Sequence, residues 1–103
     1  MNALALGPQD RGREVPVRVG DRIVLRLPEN PTTGFRWAGD IPAFLQVERD
    51  ANESSAAPGA GGMRILELSV RTAGRAELRL VCGRSWDPSA PPTDRFNVML
   101  QAQ

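Results

Sequence analysis

Histidine and lysine are absent from the 103-residue sequence, and cysteine occurs once, at Cys82. Each absence removes a class of function. Without histidine there is no Ser-His-Asp or Cys-His nucleophile system. Without histidine and with one thiol there is no ordinary zinc site, and no metal or other cofactor is expected. One cysteine closes no internal disulfide, so packing alone must hold the fold. The thirteen basic residues are all arginine, scattered among twelve acids for a net charge of +1. That pattern lacks the basic stripe that nucleic-acid binding requires. No run approaches the ~18 apolar residues of a membrane span, so no membrane partner is expected. ALAL, at residues 3–6, is shorter than the ~7–15-residue apolar region of a secretory signal and has no basic segment before it. No signal peptide is therefore read in the chain as given. A mature form with its leader removed would look the same, and the compartment stays open.

What is present reads as strands. Residues 1–13 are polar and contain Gly and Pro; they are expected to be a flexible arm with little to pack. Residues 14–103 are expected to form a single β-sandwich domain, a monomer when free. Val15, Val17 and Val19 alternate, and Ile23, Leu25 and Leu27 alternate against Arg22 and Arg26. Phe35 and Trp37 share a face across Arg36, with Trp37 expected in the core. Phe44–Val47 is a short apolar run after Pro42; a helical turn over Ala43–Asp50 also stays open. Leu66, Leu68 and Val70 alternate, TAGR (72–75) reads as a tight turn, and Ala76, Leu78, Leu80 and Cys82 form another inward face. Phe96, Val98 and Leu100 close the chain. About seven short strands with period-2 alternation and turn signals every ~8–12 residues predict an all-β sandwich.

Three connections exceed what joining strands requires: Glu29–Phe35, Asn52–Gly62 and Arg84–Asp94. Long loops in a compact domain tend to be functional or disordered. In strand order they follow the second, fourth and sixth strands, so strand counting predicts all three at one end. In NPTTGF (Asn30, Pro31, Thr32, Thr33, Gly34, Phe35), Pro31 fixes its own φ and extends Asn30. Gly34 permits a positive φ, and the β-branched threonines are stiff. The segment reads either as a rigid binding bulge or as a turn that satisfies its own backbone donors. Gly59, Ala60, Gly61 and Gly62 lack the lysine of a P-loop and the following helix of a dinucleotide turn. They read as bare backbone able to lie against a partner, or as a linker. In Arg84-Ser85-Trp86, a tryptophan stands in a polar, proline-rich loop. Trp and Arg are the residue types enriched at interface hot spots, though Trp86 folding back over the sandwich stays open.

In this order, LP (Leu27-Pro28), NPTTGF, Trp37, GAGG, the AG turn (Ala73-Gly74) and R-x-W after a strand resemble the chagasin-like inhibitors of papain-type cysteine peptidases. The resemblance spans about residues 15–100. It implies an immunoglobulin-like, Greek-key sandwich with three functional loops at one end that enter the active-site cleft of the peptidase. It implies Asn30–Phe35 at the centre, with Thr32 and Thr33 nearest the catalytic cysteine of the enzyme. Gly59–Gly62 would then lie on the non-primed side, and Arg84, Ser85 and Trp86 on the primed side. Two positions depart from the family pattern. Ser85 stands where a proline is usual, which raises the entropy cost of ordering that loop by about 0.4–1 kcal/mol. Cys82 stands where an aromatic is usual, leaving a smaller support beneath the loop.

Two other classes compete. A non-inhibitory immunoglobulin-like interaction domain would use the loops only to close the fold. A small hydrolase would need paired carboxylates flanking a pocket. Asp87 and Asp94 share one loop, but a ridge of three loops is not a cleft, and no enzyme activity is expected.

Overall fold

The computed structural model describes residues 3–29, 34–54, 62–84, 89 and 91–103. Eight strands are present among them: β1 (Ala3–Leu6), β2 (Glu14–Val17), β3 (Arg22–Pro28), β4 (Arg36–Asp40), β5 (Leu45–Ser54), β6 (Gly62–Val70), β7 (Gly74–Gly83) and β8 (Asp94–Ala102). One sheet runs β1-β3-β6-β5 and the other β2-β8-β7-β4. The alternation explains the pairing. Ile23, Leu25 and Leu27 lie on the inner face of β3, beside Leu66, Leu68 and Val70 of β6. Leu78 and Leu80 face them from β7, and Phe96, Val98 and Leu100 from β8. Intervening arginines such as Arg22 and Arg26 stay exposed. The fold is thus the expected all-β sandwich, with Trp37 and Cys82 buried in its core.

Four expectations change. Residues 3–13 are not an arm with little to pack. β1 pairs in parallel with β3, Leu4 beside Ile23 and Leu6 beside Leu25, and Leu6 joins the core. The chain then crosses through one 3-10 turn, Pro8–Asp10, to β2 on the edge of the other sheet. Asp10 fixes that crossing: it is buried and accepts from the Gly7 N–H at 2.9 Å and from Arg13 Nη1 at 2.6 Å. Leu6→Ala should therefore lower stability by about 2 kcal/mol or more, as for other buried leucines. Urea denaturation followed by tryptophan fluorescence measures this; an unchanged midpoint would remove β1 from the folded core.

The second change is at Ala43–Asp50, which contains no helix: Leu45 begins a strand. The third is the long connection expected over residues 52–62, which is shorter because β5 runs on to Ser54 and pairs it with Gly62. A bulge between Val47 and Arg49 bends this edge strand. Together with the charges of Glu48, Arg49 and Asp50, it guards the edge against pairing with another chain. The fourth is within TAGR (72–75), read as a tight turn: Gly74 and Arg75 already belong to β7. A Cβ on Gly74 would sit 2.8 Å from Cδ1 of the buried Phe44, so glycine is required by close approach.

Candidate functional site

The register fixes where the three long connections leave the sandwich. Pro28, at the end of β3, pairs with Met63 near the start of β6. Ser54, at the end of β5, pairs with Gly62. In the other sheet Arg36, at the start of β4, pairs with Gly83 at the end of β7, and Cys82 pairs with Asp94 at the start of β8. Loop 1 (residues 29–35) crosses between these sheet ends, loop 2 (55–61) closes the β5–β6 hairpin, and loop 3 (84–93) closes the β7–β8 hairpin. All three are rooted at one end of the sandwich. The unexpected strand lies at the N-terminus, so it renumbers the strands but keeps the two-strand spacing between loops.

Of the candidate contact residues, Asn30, Pro31, Thr32, Thr33, Gly59, Ala60, Gly61, Ser85 and Trp86 lie outside the described residues. Gly34, Phe35, Gly62 and Arg84 lie within them and form the roots. Gly34 has φ +80°, the left-handed conformation that its position in NPTTGF suggested. Phe35 is half-buried and packs on the edge of the core. The Arg84 guanidinium lies over the Phe35 ring, 4.5 Å from its centroid. This cation–π contact ties the start of loop 3 to the end of loop 1. Gly62 is held closely: a Cβ there would lie 3.0 Å from Asn52 Oδ1, Glu29 O and Glu53 O.

Beneath these roots lies a group absent from the sequence reading. Glu29 is only 3% exposed. Its Oε2 accepts from the Trp37 N–H at 2.7 Å and from Arg64 Nη1 at 3.1 Å. Its Oε1 accepts from Asn52 Nδ2 at 2.8 Å and from Arg64 Nη1 at 3.3 Å. The Glu29 N–H donates to Gly62 O at 3.0 Å. Arg64 is gripped from its other side by Asp50, with Nε 2.5 Å from Oδ1 and Nη2 3.0 Å from Oδ2. The Asp50 hydrogen bonds, reinforced by Glu29, hold the Arg64 pKa above its ordinary value despite partial burial. Trp37 completes the arrangement: its indole Nε1 donates to Pro28 O at 2.8 Å.

Cys82 lies opposite Trp37 and is buried. Burial pushes its thiol pKa up, which suits a packing role rather than reactivity. Its carbonyl accepts from the Thr93 N–H at 2.8 Å, pinning the far side of loop 3. Among the described residues, no cluster of His, Cys, Asp and Glu is arranged to hold a metal ion.

A family model described as the chagasin family peptidase inhibitor I42 matches residues 16–100. Chagasin of Trypanosoma cruzi is 30% identical over 99 residues, spanning 88% of this chain and 90% of that protein. Among solved structures, a cysteine protease inhibitor of Entamoeba histolytica superposes with a TM-score of 0.92 at 19% identity, covering 100% of this chain and 97% of that one. PbICP-C, solved in complex with falcipain-2, superposes with a TM-score of 0.64 at 15% identity, covering 100% of both chains.

Proposed function

The chain belongs to the chagasin family of peptidase inhibitors, and from that premise we propose that it blocks papain-type cysteine peptidases by seating loops 1, 2 and 3 in the active-site cleft. It is an inhibitor, not an enzyme, and the block is reversible and non-covalent. The observation that carries this reading is the rooting of all three loops at one end of a rigid sandwich. That arrangement suits a wedge.

A peptidase cuts an extended segment that lies in register with its subsites. A stiff Pro-Thr-Thr-Gly bulge with a left-handed Gly34 fills the cleft without presenting a scissile carbonyl to the nucleophile. Asn30–Phe35 takes the centre, Thr32 and Thr33 lying nearest the catalytic thiol. Gly59–Gly62 offers backbone donors and acceptors on the non-primed side, and Ser85 and Trp86 meet the primed side. Arg84 joins them on the primed side, and its contact with Phe35 ties loop 3 to loop 1. Roots that are already ordered lose little entropy on docking, so more of the contact energy appears as affinity. Three loops suffice for a standard interface of about 1,600 Å² in total. The complex of PbICP-C with falcipain-2 supports a fold of this kind engaging a peptidase.

Steady-state inhibition of papain tests the proposal. The chain should inhibit reversibly, and Trp86→Ala should weaken inhibition about 30-fold, the equivalent of losing an anchor worth ~2 kcal/mol. Papain left untouched at micromolar concentration would overturn the reading and favour a non-inhibitory interaction domain.

A further inference from the structure

We propose that Glu29 is a positioning residue for inhibition: one buried carboxylate that sets loop 1 against loop 2 before the peptidase arrives. The inference rests on the inhibitor reading and extends it to a residue that would not touch the enzyme.

Glu29 contacts four loop roots. It is the first residue of loop 1, and through Oε2 it holds the backbone of Trp37 just beyond the end of that loop. Through Oε1 it holds Asn52, near the start of loop 2. Through its backbone N–H and its ion pair with Arg64 it holds Gly62 and Arg64, at the end of loop 2. Asp50 prevents Arg64 from swinging away.

The choice of chemistry points to geometry rather than stability. Burying a carboxylate is costly, and an apolar pair of similar volume is often as stable. An apolar pair, however, lets neighbours slide, whereas hydrogen bonds to fixed carboxylate lobes are directional. A network satisfied at every oxygen specifies one arrangement of the strands that meet there. Here those strands are β3, β4, β5 and β6, which carry loops 1 and 2. The tie between Arg84 and Phe35 extends the same frame to loop 3.

The test compares wild type, Glu29→Gln and Asn52→Ala by amide hydrogen exchange and by association and dissociation rates with papain. Glu29→Gln keeps the shape but turns an acceptor into a donor facing other donors. Asn52→Ala removes the hydrogen bonds from Asn52 Nδ2 to Glu29 Oε1 and Glu29 O and leaves the ion pairs of Arg64, so it serves if Glu29→Gln does not fold. In either variant, amides at 34–37 and 62–64 should exchange about tenfold faster, as expected for local opening, while those of β2 and β8 stay unchanged. Dissociation from papain should speed up by about the same factor with association little altered, as for most changes within one interface. Wild-type dissociation and root exchange in a folded variant would overturn the proposal. So would exchange that accelerates equally across both sheets, which marks a purely structural role. If wild type fails to inhibit papain, the inhibitor reading falls; the exchange pattern still shows whether Glu29 orders the roots.

Discussion

Thr32→Arg should raise the inhibition constant for papain by about a thousandfold, roughly 4 kcal/mol, within the range of the strongest interface hot spots. The urea midpoint should not move, because every residue of the described core is kept. The size of the effect follows from the roots. In the proposed complex, a bulky cation at position 32 would stand at the centre of the interface and could be accommodated only if its loop retreated. Loop 1 cannot do so cheaply. Glu29 at its start is buried and bonded to Trp37 beyond its end. Gly34 is committed to a left-handed φ, and Phe35 is packed on the core with Arg84 over its ring. The clash must therefore be expressed as lost affinity rather than relaxed by backbone movement. Thr32→Ser, which adds no bulk, should inhibit within about threefold of wild type, as for most interface residues that lose only a methyl group. Inhibition constants for both variants, with urea titrations alongside, check the prediction. Thr32→Arg inhibiting within a factor of ten would remove loop 1 from the cleft.

How much of this was legible depends on which signal each residue carried. Period-2 alternation placed six strands, because each has one face buried and one in water, and the short apolar run Phe44–Val47 marked a seventh. β1 was missed because four residues ending at Gly7-Pro8 carry too little pattern. Its partner is also non-local, Ala3 pairing with Arg22. Glu29 and Arg64 had a usable signal. Glu29 continues the inward series Ile23, Leu25, Leu27, and Arg64 precedes the inward series Leu66, Leu68, Val70. Opposite charges at inward positions of neighbouring strands predict a buried ion pair. Asn52 had none. Alternation from Leu45 would turn residue 51, not 52, toward the core side. The bulge between Val47 and Arg49 reverses that parity and brings Asn52 opposite Arg64. The loop motifs named the contact candidates through local composition alone, but no local pattern says that Arg84 engages Phe35, because the two residues lie 49 positions apart in the sequence.

The second large effect belongs to Trp37. Trp37→Ala should cost about 3–5 kcal/mol, the range for truncating a buried aromatic. Typical domains hold only about 5–15 kcal/mol in reserve, so the variant should be partly unfolded at elevated temperature. Packing is only part of the reason. Trp37 is 3% exposed, and its indole Nε1–H satisfies Pro28 O, the last carbonyl before loop 1. Truncation leaves a cavity between the sheets and an acceptor without its donor. Trp37→Phe separates the two terms, since it retains much of the volume and removes the N–H. It should cost about 1–3 kcal/mol, the penalty of a buried acceptor left unsatisfied plus a small void. Because the lost bond spans both roots of loop 1, Trp37→Phe should also weaken papain inhibition at temperatures where it is fully folded. Urea titration gives the first quantity and the inhibition constant of the folded variant gives the second. If stability falls but inhibition by the folded variant is unchanged, Trp37 only fills the core. If both fall, the indole that closes the sandwich also holds the inhibitory loop at its working angle.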